Sequence, residues 1–249
     1  MSTADLMLIF IVIAVAFLPP IGYLIWIRNT ERFEREPWRK IAITFIWGAI
    51  FGIGLGLLFS YLLIFAFGVA VPERVYSRII EDETLAILFL AVIIAPIAEE
   101  AAKALGVYRA GKDLDEVEDG LIYGSSVGLG FAATENLMYG YIALAYFDWR
   151  VYIATAFLRS ISSAFLHASA TSVTGYGIGK KIVLGGKHRV WPYFLIAVLM
   201  HAVFNLFASL GTFLGLVLAI VFAFVAIEFT RHKIQQLDAS SMMRGGRGI

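Results

Sequence analysis

The chain has 249 residues, of which 60% are hydrophobic and only 16% are charged. Soluble globular domains are about half apolar and a quarter charged, so this composition excludes an ordinary soluble domain and predicts an integral membrane protein. The net charge of +1 gives no indication of a nucleic-acid partner, and the absence of cysteine excludes disulfides and thiol nucleophiles.

Seven segments are apolar enough to cross a bilayer, for which about 20 residues are needed. In chain order they are 5–27, 41–70, 85–108, 121–146, 152–179, 192–210 and 212–229. The first segment has neither a basic start nor a small-residue cleavage site, so we expect a retained span. Gly211 separates the last two, which we expect to form a tight hairpin. We therefore predict an all-α, polytopic transmembrane helix bundle.

The bundle is predicted to form a single integral membrane domain over residues 1–249. Its four-helix core at 85–210 carries most of the polar residues that lie within spans. The polar, glycine-rich tail at 238–249 is expected to be disordered.

Basic residues predict the orientation of the bundle. The loops 28–40, 109–120 and 180–191, together with the segment after the last span, carry 15 Lys and Arg residues, whereas the opposite side carries three. Cytoplasmic loops are enriched in Lys and Arg, so we predict an N-terminus outside and a cytoplasmic C-terminus in a multi-pass protein of the cell membrane.

Glycines recur at a spacing of four in two spans. Gly48, Gly52 and Gly56 do so in the second span, and Gly124 and Gly128 in the fourth. Small residues at this spacing let neighbouring helices approach closely, so we interpret both stripes as packing surfaces.

Ionisable and amide side chains lie inside the predicted spans of the core. They are Glu99, Glu100, Lys103, Glu135, Asn136, Arg159, His167, His201 and Asn205. Such groups are costly in a bilayer and generally face a bundle interior or a water-filled cavity. At about 1.5 Å per residue, the glutamates and both histidines fall within roughly 5 Å of the membrane centre, which predicts one functional site. Lys103 and Arg159 fall about 10 Å from the centre, on opposite sides. We expect each of them to be a charge partner that holds two helices together, in preference to a catalytic group.

Two imidazoles and one carboxylate form the minimal protein ligand set of a catalytic zinc site. His167 and His201 supply the imidazoles, and a further carboxylate can act as general base toward water. The chain has no HExxH motif, so the ligands would come from separate helices. The same layer also fits a proton- or ion-coupled transporter, or an adaptor with polar groups between its helices. The absence of an internal repeat counts against the transporter.

Four motifs follow one another on successive spans: EEAAK at 99–103, FAATEN at 131–136, FLHAS at 165–169 and HAVFN at 201–205. Their order resembles the PrsW family of intramembrane proteases, and the resemblance covers roughly residues 85–210. That family is distantly similar to the CAAX prenyl-protease (ABI) group, whose first helix carries Glu-Glu-x-x-x-Arg. Lys103 stands one residue short of that arginine, which favours PrsW.

The resemblance implies a membrane-embedded, metal-dependent endopeptidase that cuts membrane-tethered regulators such as anti-sigma factors. Under it, we expect a Zn²⁺ cofactor, with Glu135 or one of the paired glutamates as third ligand and the other member of the pair as general base. An asparagine is expected to donate to the oxyanion. A metal-free mechanism, in which a glutamate activates water, stays open. The expected site residues are Glu99, Glu100 and Asn205 for catalysis, His167, His201 and Glu135 for the metal, and Lys103, Asn136 and Arg159 in support.

Overall fold

The computed structural model describes the backbone of residues 3–245 and the side chains of residues 6–240. All regular structure in this part of the chain is helical. The α-helices are α1 (Thr3–Arg28), α2 (Trp38–Trp47), α3 (Ile53–Ala70), α4 (Glu73–Glu81), α5 (Glu83–Leu88), α6 (Ala95–Arg109), α7 (Val117–Tyr146), α8 (Trp149–Ile161), α9 (Ser163–Val183), α10 (Trp191–Ser209) and α11 (Phe213–Gly245). The predicted all-α class is therefore confirmed.

Five helical stretches of the described chain are long and apolar enough to span a membrane. They are Leu6–Arg28, Trp38–Ala70, Glu83–Asp113, Trp191–Ser209 and Phe213–Ser240. Helix α7 and the pair α8–α9 occupy the other two predicted spans. Most of α7 is buried among other helices, so few of its side chains would face lipid. The polytopic membrane class is confirmed, while seven spans and the orientation stay predictions.

The predicted span at 152–179 is two helices instead of one. The backbone leaves the helical conformation at Ser162, with φ −120° and ψ −68°, and α9 starts directly afterwards. At the other end of the chain, residues 238–245 of the predicted disordered tail lie in α11. Residues 246–249 lie outside the described part.

Helices α7 and α9 form the centre of the bundle, and glycines bring their backbones into contact. A Cβ atom at Gly128 would lie 2.2 Å from the His167 carbonyl oxygen, and one at Gly124 would lie 2.6 Å from that of Thr171. Gly120 makes the same approach to Gly175. The predicted packing stripe is thus one helical turn longer than the spacing of Gly124 and Gly128 indicated, and it fixes the position of α9 beside α7.

Two π-helical segments interrupt the spans that surround this centre. Gly48–Gly52 joins α2 to α3, and Phe89–Ile94 joins α5 to α6. In each segment a backbone carbonyl accepts a side-chain hydrogen bond from a neighbouring helix: Ala49 from Thr134 Oγ1 at 2.8 Å, and Ala91 from Asn205 Nδ2 at 2.8 Å. A π-helical segment interrupts the regular α-helical hydrogen bonding, and these side chains bond to the two carbonyl groups in its place.

Carboxylates anchor the loop between α1 and α2 to the start of α7, outside the predicted spans. The Tyr123 hydroxyl donates to Glu36, and Asp119 accepts the backbone N–H groups of Asp115 at 2.9 Å and Glu116 at 2.7 Å. Burial raises the pKa of Glu31 to about 8 and that of Asp119 to about 9. These two groups therefore hold their protons at neutral pH, which lowers the cost of burying them.

Candidate active site

Helix α6 carries the glutamate pair and the lysine one turn later. Glu100 is fully buried; its Oε1 accepts a hydrogen bond from Lys103 Nζ at 2.8 Å, and its Oε2 accepts one from Thr171 Oγ1 at 3.1 Å. Lys103 Nζ also lies 3.3 Å from Glu99 Oε2. Spacings of three and four residues place both acids on the face of the lysine, which offsets part of their charge. The Phe131 ring lies 4.0 Å from Lys103 Nζ and completes its surroundings.

The two histidines come from α9 and α10 and face each other. Their ring centroids are 4.9 Å apart and their planes are perpendicular. His201 Nδ1 lies 3.1 Å from Glu100 Oε1, and His201 Nε2 lies 3.8 Å from Glu99 Oε2. Both imidazoles are buried, so the protein fixes their orientation.

His167 has a protein partner at each ring nitrogen. Nδ1 lies 2.8 Å from Lys103 Nζ, and Nε2 lies 2.8 Å from Glu135 Oε2. An ammonium group has no acceptor, so Nδ1 accepts from Lys103 and Nε2 carries the hydrogen that points to Glu135. A metal ion bound at His167 would replace one of these two contacts.

Glu135 is the acid of α7, and Arg159 of α8 is its charge partner. Arg159 Nη2 lies 2.6 Å from Glu135 Oε2, and Arg159 Nε donates to Asn136 Oδ1 at 2.9 Å. Ser163 Oγ also accepts from Arg159, at 3.0 Å. The predicted pairing of Arg159 with another helix is therefore confirmed.

Lys103 and Arg159 both reach the common layer, although their backbones were expected to lie about 10 Å from its centre. Lys103 contacts Glu100 and His167, and Arg159 contacts Glu135. Depth counted along a helix axis locates the Cα atom, whereas a long basic side chain carries its charge well away from it.

The asparagines differ in their surroundings. Asn205 Nδ2 donates to the Ala91 carbonyl, so Asn205 joins α10 to the π-helical segment instead of the carboxylate cluster. Asn136 Nδ2 is buried and has no hydrogen-bond partner among the described residues. Thr171 was missed by the sequence analysis, although its position four residues after His167 places both on one helix face.

Three residues bring metal-ligating atoms together in the centre of the bundle: Glu99, His167 and His201. One atom from each lies within 4.8 Å of the other two. The set of two imidazoles and one carboxylate fits a catalytic zinc ion. Glu100 at Nδ1 of His201 is the kind of partner that orients a metal-binding imidazole. The third ligand was expected to be Glu135 or one of the paired glutamates; Glu99 is in this set, whereas Glu135 lies between Arg159 and His167.

A cavity of about 280 Å³ reaches the site between α3 and α7. Glu99 and Glu135 both line it, and most of the remaining lining is apolar, including Leu57 and Tyr139. The Leu57 side chain is 59% exposed, so the wall of the cavity belongs to the outer surface of the bundle. Gly56 is part of the cavity wall, and a Cβ atom at this position would lie 3.6 Å from Glu99 Cγ. Any side chain larger than a methyl group would therefore contact Glu99.

The bundle buries a zinc-compatible ligand set, a second carboxylate lies beside it, and a lateral cavity reaches both. These features together define a membrane-embedded hydrolase. Comparison with known proteins identifies the particular family. A family model described as PrsW family intramembrane metalloprotease matches residues 36–228, and the chain belongs to this family. The predicted intramembrane protease is thereby confirmed as an enzyme class, and the cell membrane as its location.

Curated relatives named Protease PrsW support the membership. The protein from Clostridioides difficile (strain 630) is 26% identical over 228 residues, which is 89% of each chain. The protein from Geobacillus kaustophilus (strain HTA426) is 27% identical over 79% of each chain, and that from Bacillus subtilis (strain 168) is 25% identical over 73% of each. No solved structure matches the chain at a significant level.

Proposed function

We propose that the chain is a zinc-dependent intramembrane endopeptidase whose substrate is a membrane-tethered regulatory protein, of the anti-sigma-like kind. The observation that carries the metal assignment is the convergence of ligating atoms from Glu99, His167 and His201 within 4.8 Å of one another. Family membership supports the protease chemistry.

Glu99, His167 and His201 would hold the ion. The chemistry that zinc supplies at such a site is polarisation of the scissile carbonyl and acidification of water. Glu100 positions His201 through Nδ1, and Lys103 balances the charge of the glutamate pair. In this proposal Glu100 has a positioning role, because it is fully buried and bonded to Lys103, Thr171 and His201.

Glu135 is the general base in this proposal. It lines the same cavity as Glu99, so a peptide and a water molecule in that cavity would lie between the two carboxylates. Glu135 takes a proton from the attacking water and returns it to the leaving amine, which gives a carboxylic acid and an amine as products. Arg159 holds the Glu135 carboxylate through a contact of 2.6 Å.

Asn136 is the better candidate for an oxyanion donor. Its buried Nδ2 has no partner in the described chain, whereas the Asn205 amide is bonded to the Ala91 carbonyl. A donor that is free before substrate binds costs no hydrogen bond when it turns to a developing negative charge.

The substrate proposal rests on the cavity as well as on the resemblance of the motifs. Its apolar lining and its position between α3 and α7 suit a polypeptide segment that arrives from the bilayer. A soluble peptide would have to desolvate its polar backbone to enter the same space.

Metal content of the purified protein tests the zinc assignment directly. We would compare the wild type with Glu99→Gln, His167→Ala and His201→Ala, and use His188→Ala as a histidine control outside the site. All variants are checked for cooperative thermal unfolding. Zinc near one ion per chain in the wild type and the control, and its loss from the three folded site variants, is the expected result.

Cleavage of a membrane-tethered reporter in proteoliposomes tests the activity in parallel. Cleavage by a carefully prepared, zinc-free wild type would overturn the zinc assignment and leave the glutamate mechanism. Glu135→Gln is expected to retain zinc and lose cleavage; full activity in that variant would contradict its role as base.

A further inference from the structure

A second, larger cavity lies on the other side of the bundle, between α9, α10 and α11. Its volume is about 820 Å³, and most of its lining is apolar. Ile196, Val225 and Phe229 form part of its walls and are 47%, 61% and 67% exposed. Because these walls lie on the outer surface, the cavity is a groove that would open into the bilayer.

Aromatic and basic side chains form one end of this groove. The rings of Tyr176 and Tyr193 are perpendicular with centroids 5.4 Å apart, and Lys180 Nζ donates to Tyr193 Oη at 3.1 Å. Lys233 Nζ lies 5.6 Å from the centre of the Tyr176 ring. Gly177 makes room for this arrangement, since a Cβ atom there would lie 2.6 Å from the Tyr193 ring. The two ammonium groups thus flank one pair of tyrosines.

The positive charge at this end is not neutralised by the protein. Among the described side chains, neither Lys180 nor Lys233 has a carboxylate oxygen within 4.0 Å, whereas Lys40, Lys103 and Arg159 are all paired. None of the described residues that line the groove is acidic. Lys233 Nζ donates to the Gln236 amide oxygen at 2.9 Å, which leaves its charge in place. The groove therefore combines an apolar body with a doubly basic end that no described carboxylate neutralises.

We propose that this groove binds one anionic phospholipid, with its phosphate at Lys180, Lys233 and Tyr193 and an acyl chain along the apolar walls. Both ammonium groups lie within 5.6 Å of the centre of the Tyr176 ring, so the oxygens of one phosphodiester would offer acceptors to both of them and to the tyrosine hydroxyl. Basic pockets between transmembrane helices are suited to anionic headgroups. The lysines lie at the end of the bundle that carries the basic loop 180–191, which the charge distribution assigns to the cytoplasmic leaflet. This inference is independent of the proposed catalytic site.

Lipid retention measured by native mass spectrometry tests the proposal. The full chain is reconstituted in nanodiscs of phosphatidylcholine and phosphatidylglycerol in equal amounts, and the lipids that stay bound after release are identified. We expect one phosphatidylglycerol per wild-type chain. The variant Lys180→Gln/Lys233→Gln should retain about twenty-five-fold less, since each ammonium group in contact with the bound phosphate contributes roughly fivefold in affinity. The control Lys181→Gln/Lys187→Gln removes two exposed charges from the same end and should retain lipid as the wild type does.

A second variant tests the apolar part of the groove. Val225→Trp keeps all charges, fills space between the walls and should also reduce phosphatidylglycerol retention. Equal retention in the two lysine double variants would overturn the headgroup assignment, and unchanged retention in Val225→Trp would overturn the acyl-chain assignment. Chains that leave the nanodisc as lipid-free dimers would show that a second copy occupies the groove instead. Thermal unfolding identifies folded variants, and if Val225→Trp does not fold, the comparison of the lysine variants decides.

Discussion

Replacement of Gly128 by alanine is expected to damage both the stability and the activity of the protein. The new methyl group would lie 2.2 Å from the His167 carbonyl oxygen. Even weak C–H···O contacts need about 3.3 Å, so α7 and α9 would have to separate by roughly 1 Å. Helix α7 has no room to retreat, because Gly130 on its opposite face is already in close contact with the Phe45 carbonyl.

The expected size of the effect follows from this displacement. Overpacking of a well-packed interior costs about 1–3 kcal/mol, which for a chain of this size lowers the melting temperature by roughly 2–12 °C. Because the displaced backbone belongs to a proposed zinc ligand, the loss of activity should be larger. A misplacement of about 1 Å in a catalytic constellation can reduce the rate about a hundredfold.

The assay is thermal unfolding in detergent together with cleavage of a membrane-tethered reporter. Gly54→Ala is the matched control, since a Cβ atom at Gly54 would have nothing within 4 Å. Alanine is also the better helix former, so the control should not lose stability. Wild-type activity and stability in Gly128→Ala would refute the close-packed α7–α9 geometry, and equal losses in both variants would show a general effect of alanine.

Three further changes have defined outcomes. Gly56→Leu should fill the 280 Å³ cavity, so it should reduce cleavage and retain zinc. The control Gly54→Leu should cleave normally. Loss of zinc from Gly56→Leu would instead indicate damage to Glu99. Arg159→Met should lower the free energy of unfolding, measured by chemical denaturation, by about 3 kcal/mol. It removes the only cationic side chain paired with a mostly buried carboxylate, Glu135, which keeps only its hydrogen bonds within the described chain. An unchanged midpoint contradicts this. Asp119→Asn tests the buried acid whose pKa is about 9 in the folded state, against an ordinary 3.8. A raised carboxyl pKa means that the wild type loses stability as pH rises from the ordinary value through the folded one, so the variant should lose less between about pH 5 and pH 9. Melting curves with identical pH slopes would show that Asp119 is not protonated when folded.

The sequence allowed the helical architecture and the common polar layer to be predicted for a physical reason. Carboxylates and imidazoles in a bilayer are stable only beside one another, so Glu99, Glu100, His167 and His201 were expected to meet, and they do. Close packing at Gly128 was predictable on the same grounds, because a missing side chain in a span indicates contact.

The pairing within that layer was not predictable from depth along the chain. Which carboxylate joins the two histidines depends on the rotation of each helix, and the π-helical segments change that rotation without a clear sequence signal. The break at Ser162 shifts the phase between Arg159 and His167 in the same way. Asn205 and Asn136 were both expected as candidate donors to the oxyanion, and the freed carbonyl of Ala91 offers the Asn205 amide a partner that no motif reveals.

The π-helical segment Phe89–Ile94 has a consequence for how this chain can change over time. Each residue of a helix turns the chain by about a quarter of a circle, so deleting any one of these six apolar residues would swing Glu99 and Glu100 away from His201 by about that angle. Spans of several lengths fit a membrane of given thickness, but only one length of this segment keeps the glutamate pair directed at His201. Substitutions among FLAVII are therefore expected to be common in descendants of this sequence, whereas insertions and deletions there should be purged. The orientation of the glutamate pair toward His201 therefore depends on the length of this segment, although none of its side chains carries a functional group.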